Sequence, residues 1–205
     1  MEMVGIGDPA CFMRDCTFVG KNRVTAKALD DRVGCLVLIE AIKALRKSKS
    51  KGFPNDLYFV FTVQEEVGLR GARTSAFGIM PDMAIAVDVT SVGDTPECMP
   101  LPAKLGGGAA IKVRDAGTVI PRKVKDFLVK VAEQNRISYQ FELLIGGATD
   151  AAIIQYTQTG VPVGGISIPT RYIHSPSELA DLGDIKSCID LVRWVSLTDI
   201  SKFGF

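Results

Sequence analysis

No apolar run in this 205-residue chain approaches the roughly 20 residues that a membrane-spanning helix needs, and no basic segment followed by an apolar one opens it. A cytosolic chain is therefore expected. Charge of one sign is also lacking. With 24 Lys and Arg against 23 Asp and Glu, no field draws the protein to nucleic acid or to an anionic membrane, and neither is expected as a partner. The five cysteines, Cys11, Cys16, Cys35, Cys98 and Cys188, are odd in number and form no short-spaced pair. That excludes a disulfide framework and a cysteine zinc site, so the thiols are expected to be reduced and mostly packed. Histidine occurs once, at His174. There is no internal repeat and no low-complexity tract.

What is present centres on the stretch LYFVFTVQEEVGLRG, Leu57 to Gly71. Its continuous apolar run from Leu57 to Val63, rich in aromatic and β-branched residues, reads as a strand buried on both faces in the middle of an α/β sheet. The run ends in two adjacent acids, Glu65 and Glu66. Two carboxylates at the end of a buried strand repel one another and lose hydration, and a cation is an economical compensation. One acid can then ligate an ion while the other handles a proton. The alternative is a pair of solvated acids at the start of a helix near Leu69, where negative charge is favourable in any case.

Taken in order, Met1 to Gly20 shows alternating apolar positions around Phe12 and Phe18 and reads as a strand or hairpin. From Asp31 the apolar positions Val33, Val37, Ile39, Ile42 and Leu45 predict a helix capped by Asp30 or Asp31. A turn is expected over Ser48 to Gly52, then the strand through Gln64, and a short helix from about Leu69 to Phe77. The strand Met83 to Val87 ends at Asp88, repeating the acid-after-strand arrangement of Glu65. In open α/β sheets sites form at the carboxyl ends of strands, so these acids can converge. Thr90 to Gly108 reads as a long irregular loop. Beyond it come a strand over Ala109 to Val113, a helix over Pro121 to Asn135 and a strand over Ser138 to Leu143. Thr149 or Asp150 is the natural cap of the next helix. Val161 to Ile168 is strand-like and runs into PTRYIHSPSE, and the last helix is expected from Asp184. The alternation predicts a three-layer α/β/α sandwich on a mixed, mainly parallel sheet.

Asp30, Glu66, Asp88 and His174 each stand at the end of a predicted element, and together they offer the oxygen and nitrogen ligands that a zinc-like ion prefers. Singly, each has an ordinary reading as a helix cap, a loop cap or a lone histidine. Five segments go further: ALDDRVG at Ala28 to Gly34, TVQEEVGLRGA at Thr62 to Ala72, AVDVT at Ala86 to Thr90, GGATDA at Gly146 to Ala151 and ISIPTRYIHSPSE at Ile166 to Glu178. Across essentially the whole chain and in order, they closely resemble the glutamyl and tetrahedral aminopeptidase family of dinuclear metallopeptidases, some of whose members are labelled endoglucanases.

The resemblance implies two divalent metal ions, zinc or cobalt. Asp30 would bridge them, Glu66 and His174 would complete one site, Asp88 would belong to the other, and Glu65 would be the general base. It implies a cis peptide between Asp30 and Asp31, peptide substrates, and a homo-oligomer for the full-length enzyme. Asp150 and Tyr172 either line the pocket or serve as a cap and a packing residue. The family carries a further metal-ligating histidine ahead of these segments and an inserted β-rich dimerisation domain. Here no histidine precedes His174. Residues 1–20 are accordingly expected to be the remnant of that inserted domain and residues 21–205 a catalytic domain incomplete at its N-terminus, holding one ion at most. The functional expectation is a metal-dependent aminopeptidase that works through a metal-activated water. A catalytically silent metal- or partner-binding fragment and a glycoside hydrolase are the alternatives. Paired carboxylates can hydrolyse glycosides, but adjacent glutamates with a histidine fit metal-assisted hydrolysis better.

Overall fold

The computed structural model describes residues 3–48 and 52–205. The turn expected over Ser48 to Gly52 lies mostly outside the described residues. A seven-stranded mixed sheet carries the helices. Its strands are β1 (Thr17–Val19), β2 (Arg23–Ala26), β3 (Ala84–Ser91), β4 (Ala109–Arg114), β5 (Tyr139–Leu143), β6 (Val163–Arg171) and β7 (Glu178–Asp181). The helices are α1 (Leu29–Lys47), α2 (Arg70–Ile79), α3 (Arg122–Gln134), α4 (Ala151–Ile154) and α5 (Leu182–Leu197). The β3–β6 and β4–β5 ladders are parallel, whereas β1–β2, β2–β7, β6–β7 and β4–β6 are antiparallel.

β6 is the axis. It pairs with β3 along one edge and with β4 and then β7 along the other, so its first eight residues are buried and its sequence is apolar without alternation. In α1 the buried residues Val33, Val37, Ala41 and Leu45 recur every four positions, which puts them on one helical face. That face meets α5, which buries Ile185, Cys188, Leu191 and Val192. With α3, these helices form the large core beneath β3, β4 and β6. α2 and α4 pack on each other, and α4 also packs on β3 and β6. The layers are α/β/α as expected.

One face of the sheet carries buried polar groups. Lys112, 1% exposed, pairs with Glu142 on β5 and with Asp115 at 3.1 Å. Gly165 on β6 leaves room for it, because a Cβ there would stand 2.8 Å from the Lys112 Cβ. Ser167, beside Asp88 in the β3–β6 register, donates to Glu142.

Three expectations need correction. Leu57 to Val63 is extended but joins no ladder among the described residues, and Tyr58, Phe61 and Val63 are 66%, 47% and 67% exposed. It lies across a cleft of about 1110 Å³ from β3, whose only ladder partner among the described residues is β6. The apolar run signals a strand that would be buried between neighbours, and none of the described strands takes those places. Second, the thiols are all free, but Cys11 and Cys16 are exposed and only Cys188 is buried. They sit ahead of β2 on residues that the core does not cover. Third, residues 3–16 form no strand; within the stretch expected as a strand or hairpin only β1 is a strand, and it pairs with β2, which lies beyond that stretch.

Candidate metal centre

The start of α1, the turn before α2, the carboxyl-terminal half of β3 and the loop after β6 bring the candidate ligands together. Asp30 enters α1 after Ala28, which is left-handed at φ 56°. The Asp30–Asp31 peptide is cis, as the resemblance implied. Asp31, not Asp30, caps the regular part of the helix: the Gly34 amide donates to its Oδ1 at 3.1 Å. Glycine at 34 makes room for this cap, since a Cβ there would stand 2.2 Å from the Asp31 carboxylate and displace it.

Glu65 and Glu66 sit on the turn between the extended segment and α2. Leu69 and Gly71 donate back to the Glu65 and Val63 carbonyls, both at 2.9 Å. At Gly71 the helix approaches so closely that a Cβ would lie 2.5 Å from the Val63 nitrogen. The Thr62 hydroxyl donates to Asp150 at 2.7 Å, so Asp150 tethers this segment and makes no capping bond to α4. Asp88 ends the apolar part of β3 and accepts the Val89 amide at 2.8 Å. His174 follows β6, and its backbone is left-handed at φ 63°.

His174 Nε2 stands 3.2 Å from Asp30 Oδ2 and 3.3 Å from Glu66 Oε2. The ligand atoms of Asp30, Glu66 and His174 all lie within 4.8 Å of one another, and so do those of Asp30, Asp31 and Asp88. The expected residues therefore converge, with Asp30 common to both groups. Sequence reasoning had given Asp31 only a capping role. Its signal was adjacency to Asp30, and only the bend between the two places both carboxylates in one cluster.

The electrostatics are those of crowded, dehydrated acids. Burial, followed by the charges of Glu66 and Glu178, raises the Asp30 carboxyl to about 6 against the opposing pull of His174. Burial and the neighbouring Asp88 raise Asp31 to about 9. Glu65 is raised to about 7 by burial and by Asp150, Glu66 and Asp30. Asp88 is pushed well above its ordinary value, chiefly by burial. A bound cation would relieve all of these. The first group, two carboxylates and an imidazole around one point, fits a divalent ion with an open position. The second group is all oxygen.

The chain belongs to the M42 glutamyl aminopeptidase family, which it matches over residues 1–191. A protein of Acetivibrio thermocellus, provisionally named an aminopeptidase, is 51% identical over 192 residues, covering 94% of this chain and 56% of its own length. The structure of aminopeptidase APDkam598 from the archaeon Desulfurococcus kamchatkensis superposes with a TM-score of 0.87 at 43% identity, over 93% of this chain and 53% of that one. The TET1 peptidase of Pyrococcus horikoshii, which can assemble into a tetrahedron or a large octahedral shell, superposes with a TM-score of 0.83 at 33% identity, over 96% of this chain and 56% of that one. The chain thus spans about half the length of the relatives it matches.

Proposed function

We propose that this chain carries the metal-binding and proton-transferring residues of a metal-dependent aminopeptidase. The observation that supports this most is the convergence of the single histidine, His174, with Asp30 and Glu66, beside a glutamate that is not needed as a ligand. Asp30, Glu66 and His174 would hold one divalent ion, zinc or cobalt. Asp30 and Asp88, with Asp31 against them, would face a second. Ions bound there would acidify a water and polarise the scissile carbonyl.

Glu65 is the general base. Its carboxylate, next to the proposed ligand Glu66, would take a proton from the attacking water and return it to the leaving amine. Asp150, through Thr62, holds the segment that ends in Glu65. Asp30, Glu65 and Asp150 stand together at the otherwise largely apolar cleft, and these acids would favour a substrate that presents a free ammonium group, as the N-terminus of a peptide does.

The Asp30, Asp31 and Asp88 group lacks a nitrogen ligand and suits harder ions than zinc. On this reading residues 1–205 bind one zinc ion tightly at most, and their peptidase activity is low. Residues 21–205 form the catalytic domain, with residues 1–20 belonging to the family's inserted β-rich domain. The protein works in the cytoplasm on peptides, as part of a homo-oligomer. Among the described residues no helix is long and apolar enough to cross a membrane.

Hydrolysis of aminoacyl-arylamides with added zinc or cobalt tests the proposal. Turnover that is metal-dependent and falls about a hundredfold or more in Glu65→Gln supports it. Turnover unaffected by that substitution, or by chelation, would overturn it.

A further inference from the structure

Glu178 opens β7 and is 2% exposed. Both of its carboxylate oxygens are engaged, and by backbone rather than side chains. Oε2 accepts the Asp30 amide at 3.0 Å, and Oε1 accepts the His174 amide at 3.0 Å. These amides belong to chain segments far apart in sequence, the entry to α1 and the loop between β6 and β7. We propose that Glu178 is the positioning residue of the centre, a two-armed clamp that fixes the Asp30 and His174 backbones at the separation which lets their side chains share one ion.

The geometry excludes simpler roles. Each of its oxygens already accepts a backbone amide, and Glu178 belongs to neither of the two groups that could hold an ion. Its position is itself fixed, since Glu178 pairs with Ala26 in the β2–β7 ladder, just ahead of Asp30. The clamp therefore ties the centre to the rigid sheet rather than to a loop. It also answers a local difficulty. His174 is left-handed at φ 63° and its side chain is 69% exposed. A non-glycine residue keeps that conformation only when its surroundings impose it, and little packing holds this side chain. The charge-assisted bond from its own amide supplies the constraint. The Asp30 amide, two residues after the left-handed Ala28, is held by the other oxygen.

The inference rests on the proposed metal site, and its test separates the two. In Glu178→Gln one acceptor oxygen becomes an NH₂ group facing a backbone N–H, while shape is kept. Calorimetric titration of the 205-residue chain with Zn²⁺ is expected to show affinity reduced 10- to 100-fold, the usual effect of losing a group that orients a ligand. Amide spectra should change at Asp30 and His174 and stay unchanged in α3 and β5. Zinc affinity within twofold of wild type in a folded Glu178→Gln chain would overturn the inference. Hydrogen exchange on the wild-type chain keeps the question open to refutation if the variant does not fold. Asp30 and His174 amides are expected to be protected despite the exposed imidazole, and exchange at unprotected rates would overturn the clamp. Wild-type chain that shows this protection but binds no zinc would sustain the clamp and refute the metal site.

Discussion

Freed of metal, the chain is expected to gain stability on mild acidification. Asp30 is held at about 6 and Glu65 at about 7, against ordinary values of 3.8 and 4.5. The folded state therefore binds these protons more tightly than the unfolded one, so stability is highest near pH 4 to 5 and is lost as pH rises through 6 and 7. At about 1.4 kcal/mol per pKa unit the differences correspond to about 3 kcal/mol each. Their mutual repulsion is counted once, and solvent screening of the partly exposed Glu65 reduces it further, leaving about 2 kcal/mol between pH 5 and pH 8. Asp31, held at about 9, and Asp184, held at about 6, act in the same direction. For a chain of this size the change in melting temperature is about 4 to 8 °C. Thermal melts in chelator at pH 5 and pH 8 measure it. Saturating zinc should reverse the trend, because ligands must shed protons to bind the ion and binding stabilises the fold by mass action. A chelated chain whose melting temperature stays flat or rises from pH 5 to pH 8 would refute the assignment of these acids to one crowded cluster.

Phe127 is 1% exposed, with its ring edge-on to Phe203 and Phe205 at centroid separations of 4.7 and 6.0 Å. Phe127→Ala is expected to destabilise the chain by about 3 to 5 kcal/mol in denaturant titration, with the metal cluster untouched. The exposed apolar residues of Leu57 to Val63 and the edge of β3 that is unpaired among the described residues predict concentration-dependent association. Light scattering from micromolar to higher concentrations should show it, and a monodisperse monomer throughout would contradict it.

The helices were legible because their apolar spacing coincides with real faces. Val33, Val37 and Leu45 in α1 and Ile185, Cys188 and Val192 in α5 are buried as the period requires, whereas Ile39, also placed on the α1 face, is exposed and Ile42 is half-buried. Strands β3, β4, β5 and β6 were legible from apolar runs between turn residues. β7 was not, because Glu178–Asp181 is four residues with two acids, and only its place between β2 and β6 makes it a strand. At Leu57 to Val63 composition misled, since a run suited to burial forms no ladder here. Site residues were readable where an acid followed a strand or sat in a recognisable segment. The roles of Asp31, Glu178 and Asp150 depend on which backbone amide or hydroxyl comes within reach, and spacing along the chain carries no record of that. Asp184 shows the same limit. It falls where a helix start was expected, yet its carboxylate crosses to the Gly106 and Gly108 amides, both at 2.7 Å, while Asp181 takes the cap.

Zinc content and zinc-edge absorption, recorded on the dialysed 205-residue chain and on His174→Ala, test the proposed centre most directly. The proposal predicts about one equivalent retained by the wild type with a single imidazole among oxygen ligands, and loss of that ion in the variant. Two tightly held equivalents, or zinc bound with no imidazole in its shell, would contradict it.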